Sequence, residues 1–556
     1  MVDQHHVSRL FVHDALVQRK FERLLGSRFD TYRGYLPINP KPVPVEIIVP
    51  DYDFVRYPVV RIVDASVFDN RKLPHILGPD GIICYYGAGS AILDRYNPAG
   101  TILRCLVKAE KVVADALGGR LDSDFAAEFA SYWGKSWMLY DLPRDFSGLG
   151  TVAYPVLRAD GVPTPVLTAK SSWATDRDPA STASAEDALI VTINKPLTLD
   201  PNSSWPPENL LQMKLWLRWI APGLEAKLDE ALVKSSQAGA ILAIRATNGL
   251  FALRLEVPAH LKKPEFLKQR RSSLPKVMDK TAASIQVERI RADAADPEYV
   301  FSRNIGSRPN LGGKAILLIG CGTIGGFLAH QLAQSGAGTA GGRLVLADTD
   351  DLRTANLGRH LLGIPYLHRN KAEATTTFIK TMLPGISVEA ENSDGLTIAT
   401  DRFHLVIDVT GEEALSIALN QRAIDRRPDA PAHIFGWLAG NGAIAQSILV
   451  DSDAKKACFK CLKPELAGQP RFRAIRPDVN VEIRSIAACG DSEFIPFPVS
   501  RSVAAAVQVC ELALDWVSGS ASPRFRSQTL DTKQAFQIAD ANPLALSTCP
   551  ACKSPH

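Results

Sequence analysis

Four cysteines toward the C-terminus fall into two pairs, Cys458-Phe-Lys-Cys461 and Cys549-Pro-Ala-Cys552. Two such knuckles bring four thiolates to a tetrahedral Zn²⁺ and leave no position open, so the spacing predicts a structural zinc site. A redox pair is the rival reading of either CxxC alone. A second constellation is Gly320-Cys-Gly322-Thr-Ile-Gly325, which follows the apolar run Ala315–Ile319 and opens a helical pattern. A phosphate approaching that turn leaves no room for Cβ atoms, and the helix start offers unpaired N–H groups and a positive dipole end. Asp348 closes the next apolar run, where a carboxylate can bind ribose hydroxyls. This context alone fits a nicotinamide dehydrogenase equally well.

The residues that follow separate the two uses. Asp348-Thr-Asp-Asp-Leu-Arg-Thr-Ala-Asn356-Leu-Gly-Arg359-His, with Arg369-Asn-Lys371-Ala downstream, gathers a carboxylate, an amide, an arginine and a lysine. Hydride transfer has no use for that set, whereas a polyphosphate undergoing displacement must have its charge held. Here the chain resembles the ThiF/MoeB and ubiquitin-activating superfamily, with its Asp-x-Asp, Asn-Leu-x-Arg and downstream Lys, over about residues 296–556. The resemblance implies Asp348 on the ribose of ATP and Asn356, Arg359 and Lys371 on its phosphates. It also implies that Arg303 reaches into a partner protomer's site, making a homodimer. The family's Asp-x-Thr-Asp, whose last carboxylate serves Mg²⁺, is here Asp408-Val-Thr-Gly-Glu412. Either Asp408 or Glu412 could hold the metal, and Asp408 also reads as a strand-end hydrogen bonder.

Between the zinc pairs lies Cys489, in SIAACGDSEFIPFPVS. In the resembled activating enzymes a cysteine in this loop attacks the acyl-adenylate, which makes Cys489 the implied nucleophile; the alternative is a small buried thiol. Far upstream, Leu73-Pro-His75 precedes Gly81-Ile-Ile-Cys84, and Tyr96-Asn-Pro98 opens a helix. This resembles the ubiquitin-conjugating fold, which implies Cys84 as a second thioester-forming cysteine over about residues 20–145. The asparagine that the family uses to support the oxyanion has no counterpart beside His75, which is left to fix the loop or supply a hydrogen bond. Cys105, Cys321 and Cys510 sit at core-like spacing.

These residues need elements to hold them. A chain of 556 residues exceeds one hydrophobic core, and roughly three domains are expected. They read as an α+β ubiquitin-conjugating-like domain (1–148), an α+β middle or linker domain (149–295), and a doubly wound, mostly parallel α/β domain of ThiF type with zinc (296–556). Ile102, Leu106, Ala109 and Val113 recur at helical spacing before Gly118-Gly119. The stretch 169–187, rich in Ser, Thr, Asp and Pro, reads as linker, and the apolar runs around Thr247-Asn-Gly249 as a hairpin. In the last domain short apolar strands alternate with helices, the signature of a parallel sheet.

A formal charge of +4 is too small on this chain to imply nucleic acid or anionic membrane as a partner. No signal-type core opens the chain and no run approaches a membrane span, so a cytoplasmic protein is expected, and nine cysteines then read as thiols and metal ligands. The two resemblances together imply a fused activating and conjugating enzyme like that of bacterial CBASS anti-phage operons. It would use ATP and Mg²⁺ to adenylate a protein's C-terminal carboxylate, then pass the acyl group through Cys489 and Cys84 to an amine. The partner would be a CD-NTase or a ubiquitin-like protein. An N-terminal binding module on a sulfur-carrier type of adenylating enzyme is the alternative of another class.

Overall fold

In the computed structural model, helix α1 (Gln4–Gln18) leads into a run of short antiparallel strands. These are β1 (Glu22–Leu24), β2 (Asp30–Leu36), β3 (Val43–Val49) and β4 (Val59–Ile62), followed by β5 (Ile76–Leu77) and β6 (Ile82–Ile83). They form one sheet in the order β1-β2-β3-β4-β6-β5. The structure describes residues 4–553, apart from 40, 65–70, 78–79, 88, 135, 158–159, 171–172, 174–184, 202, 204, 263–270, 384, 466–467 and 485–493. The alternation of β2 and β3 turns Tyr32, Val45 and Ile47 onto one face, where they pack with Val12 and Leu16 of α1 and with Ile102, Cys105, Ala109 and Val113 of helix α2 (Pro98–Leu117). Asn97 accepts from the Gly100 N–H at 2.9 Å to cap α2, Pro98 occupies its first turn, and the helix stops before Gly119 at φ +71°.

Two short helices, α3 (Asp124–Ala127) and α4 (Phe129–Trp133), follow. Next come β7 (Ser136–Asp141), β8 (Gly148–Ala153), β9 (Val166–Thr168) and β10 (Ala185–Thr192), then helices α5 (Leu210–Ile220) and α6 (Leu224–Lys234). Strands β11 (Gly239–Ala246) and β12 (Gly249–Glu256) form the expected hairpin, and α7 (Leu274–Asp279) and β13 (Val287–Ala294) complete the set. The strands close into a barrel in the order β10-β11-β12-β13-β7-β9-β8. The linker reading of 169–187 is corrected at both ends of that stretch. Trp173 is buried with its Nε1–H donating to Asp141 at 2.6 Å, and Ala185 already begins β10. One tryptophan buries a large apolar area whatever the polarity of its sequence neighbours.

The aromatic cluster of this region positions a functional face. Trp133 is fully buried among Phe129, Trp205, Trp216 and Phe251, and its indole N–H is shared between the Ala252 and Ile290 carbonyls at 3.1 and 3.2 Å. With Phe125 and Phe129 turned into this core, Asp124 and Glu128 are left on the opposite face of α3 and α4.

The chain gathers into two compact units, Met1–Asp293 and Ala294–His556. The second begins with α8 (Pro297–Ser302) and alternates strand and helix except between β16 and β17: β14 (Ala315–Ile319), α9 (Thr323–Gln334), β15 (Arg343–Ala347), α10 (Lys371–Met382), β16 (Val388–Glu391), β17 (Leu405–Asp408), α11 (Glu413–Asp425), β18 (Ala432–Ala439). β19 (Ile444–Val450), α12 (Val499–Val517) and β20 (Phe525–Thr529) follow. The sheet order is β16-β15-β14-β17-β18-β19-β20, parallel as far as β18 and antiparallel beyond it. Helices α9, α10 and α12 cover one face, and α11 with the cysteine knuckles covers the other. This is the doubly wound α/β architecture, and its ligand side is the carboxyl end of the strands. Cys105, Cys321 and Cys510 are buried in these cores. Among the described residues no helix is long and apolar enough to cross a membrane.

Candidate functional site

The glycine turn follows β14 directly. Gly320 lies at φ +90°, and a Cβ there would meet Thr410 atoms at 2.9–3.1 Å. A Cβ on Gly325 would fall 1.7 Å from the Gly320 carbonyl oxygen, so only glycine closes this turn. Gly322 is different: a Cβ would meet nothing within 4 Å, and the space before the start of α9 is open. That opening, beside a helix start whose first N–H groups have no helical partner, fits a phosphate.

Asp348 follows β15 directly and braces the turn, accepting from the Cys321 N–H at 2.7 Å and the Asp350 N–H at 2.8 Å. One bond to each oxygen leaves lone pairs for a ribose hydroxyl. Lys371, at the start of α10 and nearly buried, bonds Asp350 at 2.7 Å, while Asn370 ties the same loop by donating to the Asp348 carbonyl at 2.9 Å. Asn356 accepts from the Arg353 N–H at 2.9 Å and shapes its own short turn. The Arg359 carbonyl accepts from Thr323 Oγ1 at 2.8 Å, which fastens that turn to the first residue of α9. Its guanidinium lies 5.6 Å from the Phe494 ring and 5.4 Å from the Phe497 ring. The glycine turn, Asp348, Arg359 and Lys371 are thus brought to one end of the sheet. Arg303 follows α8 and is exposed. His360, which motif reasoning passed over, accepts at Nδ1 from the Leu362 N–H and sets Nε2 2.7 Å from the Cys321 carbonyl; burial pushes its pKa down, so the ring stays neutral and donates from Nε2.

Of the two readings of Asp408 as a metal ligand or a strand-end hydrogen bonder, the geometry fits the second. It is 2 % exposed and accepts from Ser416 Oγ at 2.5 Å, Thr410 Oγ1 at 2.8 Å and the Thr410 N–H at 3.0 Å. Burial pushes its carboxyl pKa up. Glu412, at the N-terminal end of α11, is exposed.

The four knuckle cysteines converge. The Cys458 sulfur lies 3.8 Å from those of Cys461 and Cys549 and 3.5 Å from that of Cys552, Cys461 lies 3.6 Å from Cys552, and all four fall within 4.8 Å of one another. A Zn–S bond of about 2.3 Å in a tetrahedron puts sulfurs about 3.8 Å apart, so the set fits zinc. Cys489 lies outside the described residues.

In the other unit Cys84 immediately follows β6. Its N–H donates to the His75 carbonyl at 2.7 Å, which closes the β5–β6 hairpin under the thiol. Downstream, Tyr57 Oη donates to the Ala91 carbonyl at 2.7 Å and accepts from the Ala91 N–H at 3.1 Å, pinning the loop that leads to α2. Cys84 is partly exposed, and its thiol pKa is raised first by burial and then by the nearby Glu128 carboxylate. His75 adopts φ +62°, uncommon for a residue with a Cβ. Its ring is clamped between Asp124 at 2.9 Å from Nε2 and Glu128 at 2.8 Å from Nδ1. The second Glu128 oxygen accepts from Tyr132 Oη at 3.1 Å. Sequence reasoning missed Asp124, Glu128 and Tyr132. Their four-residue spacing was visible, but a polar stripe at that spacing ordinarily means a solvated helix face.

Two family models match the chain: prokaryotic E2 family B over residues 18–140 and the ThiF family over 306–551. The "ATP-dependent ubiquitin transferase-like protein Cap2" of Pseudomonas aeruginosa is 31% identical over 556 residues, covering 97% of this chain and 98% of the relative. The chain belongs to the Cap2 family. The Escherichia coli Cap2 is 24% identical over 76% of each chain. Against solved structures, E. coli MccB aligns at 17% sequence identity over 44% of this chain and 66% of its own, with a TM-score of 0.33. As a Cap2 protein the chain is an ATP-dependent ubiquitin transferase-like enzyme with an E2-like N-terminal domain and an adenylating ThiF domain at its C-terminus.

Proposed function

We propose that this enzyme adenylates the C-terminal carboxylate of a protein partner at the Gly320–Gly325 loop and relays the acyl group through Cys489 and Cys84 to an amine, such as a lysine side chain. The observation that carries this reading is the pairing on one chain of a nucleotide loop with a partly exposed cysteine held in an E2-like hairpin. A carboxylate is a poor acyl donor because its leaving group would be oxide. When its oxygen attacks the α-phosphate of ATP, pyrophosphate leaves and the acyl carbon now carries AMP as a leaving group. Asp348 would hold the ribose, and Asn356, Arg359 and Lys371 the phosphate charge that develops during displacement. Mg²⁺ travelling with the triphosphate would face the exposed Glu412, and no step passes through Asp408.

The Cys489 thiolate then attacks the acyl carbon and AMP departs with the former carboxylate oxygen. Cys84 attacks the resulting thioester and releases the Cys489 thiolate. Finally the amine displaces Cys84, giving an amide and a proton that leaves the attacking nitrogen. Thiolates serve because they attack well and depart readily. Arg303, as a residue reaching a partner protomer, would make the working enzyme a homodimer, and four thiolates at the knuckles would hold Zn²⁺ for structure alone. By the likeness to the CBASS fusion, the passenger is a CD-NTase.

The test uses ATP, a candidate partner and two variants. Cys84→Ala should abolish amide conjugates while ATP–pyrophosphate exchange persists, and Lys371→Ala should lose both. Undiminished conjugation by Cys84→Ala would reduce the N-terminal domain to a binding module and sink the relay.

A further inference from the structure

A cavity of about 560 Å³ opens beside the nucleotide loop. Its wall begins at Gly411 and Ser416, next to Thr410, which packs against Gly320. From there it runs along Trp437 on β18 and under the zinc knuckle and the segment 469–479. The volume suits a short extended peptide and is too small for a folded domain. β18 is paired on both edges, by β17 and β19, so a ligand here is read by side chains and not by strand addition.

Two kinds of side chain line it. Trp437, Phe459 and Phe472 are half-buried aromatics. Lys460, Lys463, Arg473 and Arg476 are set against one carboxylate, Glu413, which is 3.3 Å from Lys463 and neutralises it. Among the described lining residues Lys460 and Arg473 are left without a carboxylate partner, while the Arg476 guanidinium donates to the Thr532 carbonyl at 3.2 Å and lies 4.4 Å from the Phe536 ring. A basic tail would place like charges there, and repulsion at short range excludes a ligand more strongly than a missing contact does. A tail made only of small residues would leave the aromatic faces uncovered.

We infer that this groove reads the residues just upstream of the partner's C-terminal carboxylate and selects a tail carrying acidic and large apolar side chains. The inference rests on the reading above in taking that carboxylate to be activated at the glycine loop. A sheet-end groove that admits only such tails would also keep the enzyme from adenylating the C-termini of unrelated proteins.

The test uses the full-length enzyme and two synthetic octapeptides with free carboxylates. One has glutamates at alternate positions with leucine ahead of a terminal glycine; in the other, lysines replace the glutamates. In ATP–pyrophosphate exchange the acidic peptide should show a KM roughly tenfold or more below that of the lysine peptide. Arg473→Glu, an exposed position, should close or invert that ratio without changing the KM for ATP, and Arg473→Lys should preserve it. Equal KM values for the two peptides, or a ratio unmoved by Arg473→Glu, would overturn the inference. Binding of the fluorescein-labelled acidic peptide, followed by anisotropy, separates the two layers. Selective binding with no exchange leaves the groove assignment standing and removes the adenylation reading. Failure of the acidic peptide to bind or to support exchange, while the native partner is adenylated, overturns the groove assignment alone.

Discussion

Cys84 and Cys458 carry the same side chain in opposite settings. Cys84 stands at the end of a two-residue strand, partly exposed, with a carboxylate nearby and, among the described residues, outside the four-sulfur cluster. Cys458 is fully buried and touches three other sulfurs. A thiol reachable from solvent can form and lose bonds, whereas four thiols closed around one point serve a cation and leave no room for a substrate. The difference teaches that surroundings, and not residue type, divide the eight described cysteines into a partly exposed thiol, a four-sulfur cluster fit for a metal, and core.

Breaking the closed setting should have the largest effect. Cys458→Ser should destabilise the second unit by on the order of 5 kcal/mol, because structural zinc binding is folding energy, and chelator treatment of the parent should move its melting in the same direction. A soluble variant with unchanged melting that loses only one chemical step would place Cys458 in the reaction instead. At the open setting the pattern inverts. Cys84→Ala should cost less than about 1 kcal/mol, seen as a melting temperature close to the parent's, yet conjugate formation should disappear.

The support beneath Cys84 comes next. His75→Ala removes the clamp to Asp124 and Glu128 and leaves an alanine at positive φ, which should cost about 1–3 kcal/mol and slow loading of Cys84. His75→Asn tolerates that backbone better and should recover part of the stability without the contacts to Asp124 and Glu128. The smallest expected effect is electrostatic. Because burial and Glu128 both raise the Cys84 pKa, its alkylation should rise with pH along a curve displaced to the alkaline side of an ordinary cysteine. Glu128→Gln should move that curve toward lower pH, though not back to the ordinary value, because burial, the larger cause, remains. Measured with iodoacetamide in a Cys489→Ser background, a curve unmoved by Glu128→Gln would detach Glu128 from the thiol.

Legibility in the sequence followed distance along the chain. The clustered cysteines lie in two local pairs and the glycine turn within six residues, so spacing alone announced them. The parallel strands β14, β15 and β17 are continuous apolar runs because both faces are covered. The barrel was not legible, since β7 joins strands that begin far downstream and Trp133 finds its acceptors 119 and 157 residues away. The partners of His75 were hidden for the same reason: Asp124 lies 49 residues on, and no motif links a turn to the outer face of a later helix. Asp408 shows the remaining limit. Its type and position suited a cation or a strand-end hydrogen bonder equally, and only burial with three internal donors favours the second.

The relay itself is tested most directly by intact-mass analysis of the enzyme after incubation with ATP and a candidate partner, followed by peptide mapping without reductant. The account predicts a thiol-sensitive adduct of the partner's C-terminus on Cys84 in the parent, and in Cys84→Ala an adduct confined to Cys489. An adduct on Cys84 that forms equally well in Cys489→Ala, or conjugates formed with Cys84 never acylated, would contradict it.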